Sequence, residues 1–291
     1  MSAQQTIQWF PGHMAKAEKQ IARDLSLADA VVEILDARIP LSSRNPDLNR
    51  LANGKPRILL LNRRDLADPA ETARWIDFFH ASGKAALDAD CRSGKNLSRL
   101  LPLIRSTLGD KIAGWKRKGM TGRRIRVMAV GIPNVGKSSL INRLAGSGRA
   151  AVQNRPGVTR STQWFSIGGG CEMMDTPGVL WPKFGDRTVG EHLAFTGAVK
   201  EDVCDAEELA PRLLEALCAA GYARTLAERY GLSEDSLAGL DGYGMLELIG
   251  RKRGMLAGGG LVDTERAARM VLDEFRAGRL GRITLERAEK T

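Results

Sequence analysis

The densest chemistry in this chain is Gly131-Ile-Pro-Asn-Val-Gly136-Lys137-Ser138, which fits the pattern G-x-x-x-x-G-K-[ST]. Glycines at that spacing let successive backbone N–H groups, here those from Asn134 and Val135 through Gly136 to Ser139, converge on phosphate oxygens. Lys137 would neutralise the β and γ phosphates and is a catalytic candidate, and the Ser138 hydroxyl is a Mg2+ ligand. An ordinary glycine-rich turn accounts for neither of those two side chains. Downstream, Asp175-Thr-Pro-Gly178 supplies a carboxylate that can hold Mg2+ through water and a glycine N–H that can meet the γ-phosphate. Between them, Pro156-Gly-Val-Thr159 supplies a hydroxyl that could complete the Mg2+ shell. Each of these tetrapeptides is common in turns, but in this order after a phosphate loop they point to a triphosphate site.

The base is selected upstream. Asn62-Arg-Arg-Asp65 ends the apolar run RILLLN and resembles the N-K-x-D guanine motif. An aspartate there accepts both the N1–H and the N2 amine of guanine, and adenine offers no such pair. Asp90-Cys91-Arg92-Ser93-Gly94 falls where a loop backbone would meet the guanine O6, which makes Cys91 and Arg92 contact candidates. Taken alone, Asn62 and Asp65 read as a polar turn after a strand; the phosphate loop in the same chain favours the guanine reading. The ligands expected are GTP and GDP with Mg2+.

These residues need a scaffold, and the hydrophobic periodicity supplies one. Residues 14–28 have the spacing of an amphipathic helix, and apolar runs follow at DAVVEILDAR, RILLLN (57–62) and KAALDAD (84–90). Between the last two, residues 69–82 have helical spacing around Trp75, Phe78 and Phe79, so strand, helix and strand alternate as in a parallel sheet with crossover helices. Residues 97–108 predict a helix starting near Pro102, 124–131 a strand, 139–146 a helix and 163–175 a hairpin. From about residue 189 the strand signal disappears, and 189–201, 205–219, 222–230, 241–253 and 263–277 predict helices. The expected fold is α/β: a P-loop domain over 1–185, followed by an all-helical domain over 186–291. Gly258-Gly-Gly260 follows no strand and predicts an interhelical turn, not a second phosphate cradle.

Lysine and arginine number 44 against 34 acidic residues, a net charge of +10, which favours a polyanionic partner such as RNA or an acidic membrane face. Residues 111–126 hold seven basic side chains and no acid, and read either as a solvated linker or as an RNA-facing patch. Gly250-Arg-Lys-Arg-Gly254 and Arg266, Arg269, Arg276, Arg279 and Arg282 give the helical region basic faces suited to phosphate contacts. The four cysteines form no C-x-x-C pair and the three histidines are scattered, so no local metal motif is expected and a reduced, cytoplasmic setting is. No run of 18 apolar residues suggests a membrane span, and the first residues lack the apolar core of a signal peptide.

The order of motifs, base before phosphate, is the reverse of a Ras-like GTPase. Together with WFPGHMAKA at 9–17, DARIPLSSRNP at 36–46, GIPNVGKSSLINRL at 131–144 and DTPGVLWPKF at 175–184, the chain closely resembles the circularly permuted GTPases of the YlqF/RbgA type over nearly its whole length. The resemblance implies a bacterial GTPase acting in late maturation of the large (50S) ribosomal subunit, with a carboxy-terminal helical domain that binds ribosomal RNA. It also implies a protein that is monomeric off the ribosome. Permutation places residues 156–184 directly before the helical region, so nucleotide state can be passed along the chain.

Departures from the family pattern sharpen the expectations. Arg63, whose aliphatic stem can still pack near the base, stands where the guanine motif usually carries lysine, and the loop around Cys91 lacks the common S-A pair. Val179 follows Gly178 where Ras-like enzymes place the glutamine that orients water, so hydrolysis is expected to be slow alone and stimulated by ribosomal particles. His13 is a substitute candidate that the resemblance supports, against the plainer reading of a helix-start residue. Asn134 resembles the asparagine that holds K+ in potassium-activated GTPases, against that of an ordinary loop asparagine. Val179 also leaves open a nucleotide-gated binder of structured RNA with little turnover. A metabolic P-loop kinase is disfavoured by Asn62 and Asp65.

Overall fold

The computed structural model describes residues 20–52, 54–146, 163–176, 186–199 and 204–288. Six strands form one sheet: β1 (Ala30–Asp36), β2 (Arg57–Asn62), β3 (Ala85–Asp88), β4 (Ile125–Gly131), β5 (Gln163–Gly168) and β6 (Cys171–Asp175). The order across it is β3-β2-β1-β4-β6-β5, parallel except for β5, which pairs antiparallel with β6 through a glycine turn. Strand residues alternate between the two faces, as the pleat requires. Val32 and Ile34 of β1, Ile58 and Leu60 of β2, and Val127 and Ala129 of β4 enter one core. Their neighbours Val31, Met128 and Val130 enter a second, and Leu35, Leu59 and Leu61 a third, which together cover the opposite face. Both faces are buried, which explains why the strands read as unbroken apolar runs.

Helices cover both faces. The described part of α1 spans 20–27, followed by α2 (Leu48–Leu51), α3 (Pro69–Ala81), α4 (Leu100–Thr107), α5 (Gly109–Arg117) and α6 (Lys137–Ala145). The start of α3 is set by Asp68, whose carboxylate accepts the N–H groups of Ala70 and Glu71, with Pro69 in the first turn where its missing N–H costs nothing. Then come α7 (Arg187–Phe195), α8 (Ala206–Ala219), α9 (Ala223–Tyr230), α10 (Glu234–Leu237), α11 (Gly242–Lys252) and α12 (Thr264–Arg276). Aspartates 186, 205, 241 and 263 cap α7, α8, α11 and α12. Gly258–Gly260 forms the expected turn between α11 and α12.

Two regions depart from the sequence reading. The first half of the basic segment is not a linker: α5 runs to Arg117, seated by Trp115 and Ile112 on the sheet core. Four of its seven cations are paired: Lys111 and Arg123 on buried Asp29, and Arg124 and Arg126 on Glu172. The helical region is also not insulated from the sheet, because a single apolar cluster runs from β1 and β2 through Leu193 and Phe195 to Leu213, Leu272 and Phe275.

Candidate nucleotide site

The chemistry-bearing loops leave the carboxyl ends of the parallel strands, the edge at which open α/β sheets hold ligands. The phosphate loop follows β4 and opens α6, while Asn62 ends β2, with β1 between the two strands. Gly131 lies so close to β1 that a Cβ there would stand 2.6 Å from the Ile34 carbonyl oxygen. Gly136 has φ +105°, a conformation that favours glycine, and a Cβ would come 2.3 Å from the Asn62 amide nitrogen. Both glycines are required by geometry.

Lys137 is buried and donates from Nζ to the carbonyls of Gly131 and Ile132 at 2.9 and 2.8 Å. Burial draws its pKa down to about 8, an effect that the Asp175 carboxylate partly offsets. Asp175, at the end of β6, is pushed up by burial despite Lys137, and its Oδ1 is buried with no hydrogen-bond partner among the described residues. A half-buried carboxylate with an orphaned oxygen beside a phosphate loop fits a cation ligand. Thr176 fixes this strand end by donating from Oγ1 to the Ala129 carbonyl at 2.6 Å. Ser138 and Ser139 are exposed in the first turn of α6, and Val135 is buried beneath the loop.

Asn62 joins the two halves of the site. Its Nδ2 donates to the Val135 carbonyl at 2.6 Å, and its Oδ1 accepts the Cys91 N–H at 2.9 Å. One buried amide thus ties the guanine-type motif, the phosphate loop and the Cys91 loop together. The Cys91 thiol is buried and its pKa is raised to about 12, chiefly by burial, so the side chain stays neutral while the backbone N–H is held by Asn62. Arg92 is exposed, and its N–H turns back to Asp90 Oδ1 at 2.8 Å. Asp65 is exposed in the turn after β2.

Arg63 adopts φ +60°, and its guanidinium donates from Nη2 to the Asn134 carbonyl at 2.8 Å and lies 3.7 Å from Asp36 Oδ2. It is a second brace between the base motif and the phosphate loop, which the positive φ of Arg63 and the reach of a guanidinium make possible. Asn134 donates from Nδ2 to the Gly197 carbonyl at 2.8 Å, leaving its side-chain oxygen as the group a K+ would use. His13, Thr159 and Gly178 lie outside the described residues.

The basic faces are less free than their sequence implies. Arg276 donates to the carbonyls of Ala194 and Phe195, Arg282 to those of Arg64 and Ala67, and Arg253 sits over Tyr230 and 3.8 Å from Glu274. Arg269 pairs with Glu265 on the surface of α12. Arg251, Lys252, Arg266 and Arg279 are exposed, as are Lys116, Arg117 and Lys118 at the end of α5. The described residues contain no helix long and apolar enough to cross a membrane, and no cluster of metal-ligating side chains.

Residues 126–208 match the family model described as a 50S ribosome-binding GTPase. The chain is 45% identical to the ribosome biogenesis GTPase A of Priestia megaterium over 97% of its own length and 96% of that protein's. With the Thermotoga maritima protein of the same name it shares 32% identity over 97% and 94%. The crystal structure of GNP-bound YlqF from T. maritima is similar to it at a TM-score of 0.66 and 30% identity, covering 95% of this chain and 100% of that one. With a phosphate loop braced to a guanine-type motif and a near full-length likeness at 45% identity, the chain belongs to the ribosome biogenesis GTPase A family, the YlqF/RbgA GTPases.

Proposed function

We propose that this GTPase binds precursors of the large ribosomal subunit through ribosomal RNA in the cytoplasm, hydrolyses GTP slowly alone, and is accelerated by the particle. The observation that supports it most is the Asn62 amide, which couples a guanine-type loop to a phosphate loop whose lysine is already buried in place. Asp65 accepts the two donors of guanine, and the backbone of the Cys91–Arg92 turn would meet its O6 once the Arg92 N–H is released from Asp90 Oδ1. Lys137 takes the β and γ phosphates, and the N–H groups from Val135 to Ser139 line them. Ser138, Asp175 and Thr159 would hold Mg2+, which when bound supplies positive charge between the β and γ phosphates. K+, held by the side-chain oxygen of Asn134, would supply further charge in the manner of an arginine finger.

His13 orients the attacking water, a task for which Val179 has no suitable group. The protein divides functionally near residue 186 into a GTPase part and a helical RNA-binding part, and is monomeric off the ribosome. The test is GTP turnover with and without large-subunit particles, in K+ and in Na+. A particle-stimulated rate that is higher in K+ supports the reading. A rate that particles do not change supports instead a nucleotide-gated RNA binder, the alternative that Val179 keeps open.

A further inference from the structure

Just after α12 the chain lies against the loop that carries Asp65. Gly278 sits so close to that loop that a Cβ would come 2.5 Å from a Leu66 methyl carbon. Arg282 donates from Nη2 to the Arg64 carbonyl at 2.8 Å and from Nε to the Ala67 carbonyl at 3.0 Å. The Ile283 N–H donates to the Leu66 carbonyl at 2.9 Å. Thr284 accepts the Asp68 N–H on Oγ1 at 3.1 Å and donates from the same hydroxyl to the Ala37 carbonyl at 3.2 Å. Tyr222, ahead of α9, accepts the Thr284 N–H at 3.1 Å and reaches Asp68 Oδ2 at 3.4 Å. Arg64, Leu66, Ala67 and Asp68, the residues on both sides of Asp65, are therefore all held by the returning chain.

We propose that Arg282–Thr284 is a strap that determines guanine specificity by fixing the turn from which Asp65 reaches the base. It rests on the reading of Asp65 as the guanine acceptor. An exposed turn of four or five residues would otherwise have to be ordered when nucleotide binds, and the carboxylate could not hold two donors at once without that ordering. The strap supplies the order beforehand, by taking up the carbonyls of Arg64, Leu66 and Ala67 in turn. Arg282 itself is exposed, and both of its described hydrogen bonds go to this loop, so its removal takes away the brace and leaves the apolar core intact. Because the strap continues directly from α12, the helical region holds the base loop as well as following the phosphate motifs in sequence. Arg282–Thr284 are positioning residues, since they act through Asp65 and not on the nucleotide.

The measurement is equilibrium affinity for GTP and for inosine triphosphate, which lacks the N2 amine, in the full chain and in Arg282→Gln, Arg282→Lys, Thr284→Val and Asp65→Asn. With the strap loosened in Arg282→Gln or Thr284→Val, GTP affinity should fall roughly tenfold and inosine triphosphate affinity by less, so that their ratio shrinks at least about threefold. Arg282→Lys, which keeps one donor, should recover part of that ratio. Equal losses for both nucleotides, or none, would overturn the strap. If Asp65→Asn collapses the ratio while the Arg282 variants keep it, the strap fails and the guanine reading stands; if Asp65→Asn leaves the ratio unchanged, both fall together.

Discussion

At the scale of single residues, the site's electrostatics are set by Lys137 and Asp175. Burial costs the Lys137 ammonium solvation and lowers its pKa to about 8, well under the ordinary lysine value of about 10.4. A bound triphosphate favours the charged form and raises that pKa again. Between about pH 8 and 10, nucleotide binding should therefore take up a proton, and affinity should weaken as pH rises through that window. Calorimetry at pH 8, below the range in which guanine N1–H itself ionises, in two buffers of different ionisation enthalpy reads the uptake; equal apparent enthalpies there would mean that the lysine is already fully protonated. Asp65→Asn should weaken GTP and improve xanthosine triphosphate, whose 2-oxo group can accept from the new amide, as a competition assay with the two nucleotides would show. The start of α6 at Lys137 and the end of β6 at Asp175 were legible, because a phosphate loop and its following strand fix residue type and spacing. The brace made by Arg63 was not, because nothing local says that its guanidinium reaches the Asn134 carbonyl 71 residues away in sequence.

At the scale of elements, the site depends on three loops held in register at one edge of the sheet. Removing the Asn62 side chain strands the Val135 carbonyl and the Cys91 N–H, both buried, so Asn62→Ala should cost about 2–4 kcal/mol in chemical denaturation as well as nucleotide affinity. A variant that loses affinity alone would show that the amide serves only the ligand. The strands and most helices were legible from the alternation of apolar runs with 3.6-residue spacing. Helix α5 is obscured in sequence because its basic residues outnumber the apolar stripe of Ile112 and Trp115, which continues from Leu108 at helical spacing. Two of its three cations, Lys116 and Arg117, fall in the last turn, where they favour the helix dipole.

At the scale of the whole molecule, the sheet and the helices are joined by contacts that no local pattern carries. Arg38 is buried against Asp36, lies over the Phe275 ring and donates to the Phe275 carbonyl, so the end of β1 is fastened to α12. Burial alone would raise the Asp36 carboxyl, but Arg38 and Arg63 hold it below the usual aspartate range. Arg38→Met would leave that carboxylate buried without its main partner and should lower stability by about 3–5 kcal/mol in thermal or denaturant unfolding. The returning segment over 282–287 is equally invisible in sequence, since Arg282 and Thr284 hold backbone carbonyls more than 200 residues earlier. Surface charge, by contrast, reads too generously from sequence. Arg253 is occupied by Glu274 and Tyr230, so Arg251→Ala with Lys252→Ala should flatten the salt dependence of particle binding as much as replacing Arg251, Lys252 and Arg253 together by alanine, by at most about 0.7 to 0.9 for each RNA phosphate no longer neutralised. A further drop with Arg253→Ala would show that it leaves Glu274 for RNA.

Under the function proposed above, nucleotide state should govern association with the large-subunit precursor, because the phosphate motifs lead directly into the helical region. Sedimentation of the full-length protein with large-subunit particles, in GDP and in a non-hydrolysable GTP analogue at fixed salt, tests it most directly. The account predicts that the protein travels with the particles in the triphosphate state and is largely released in GDP. Equal association in both states, or none in either, would contradict it.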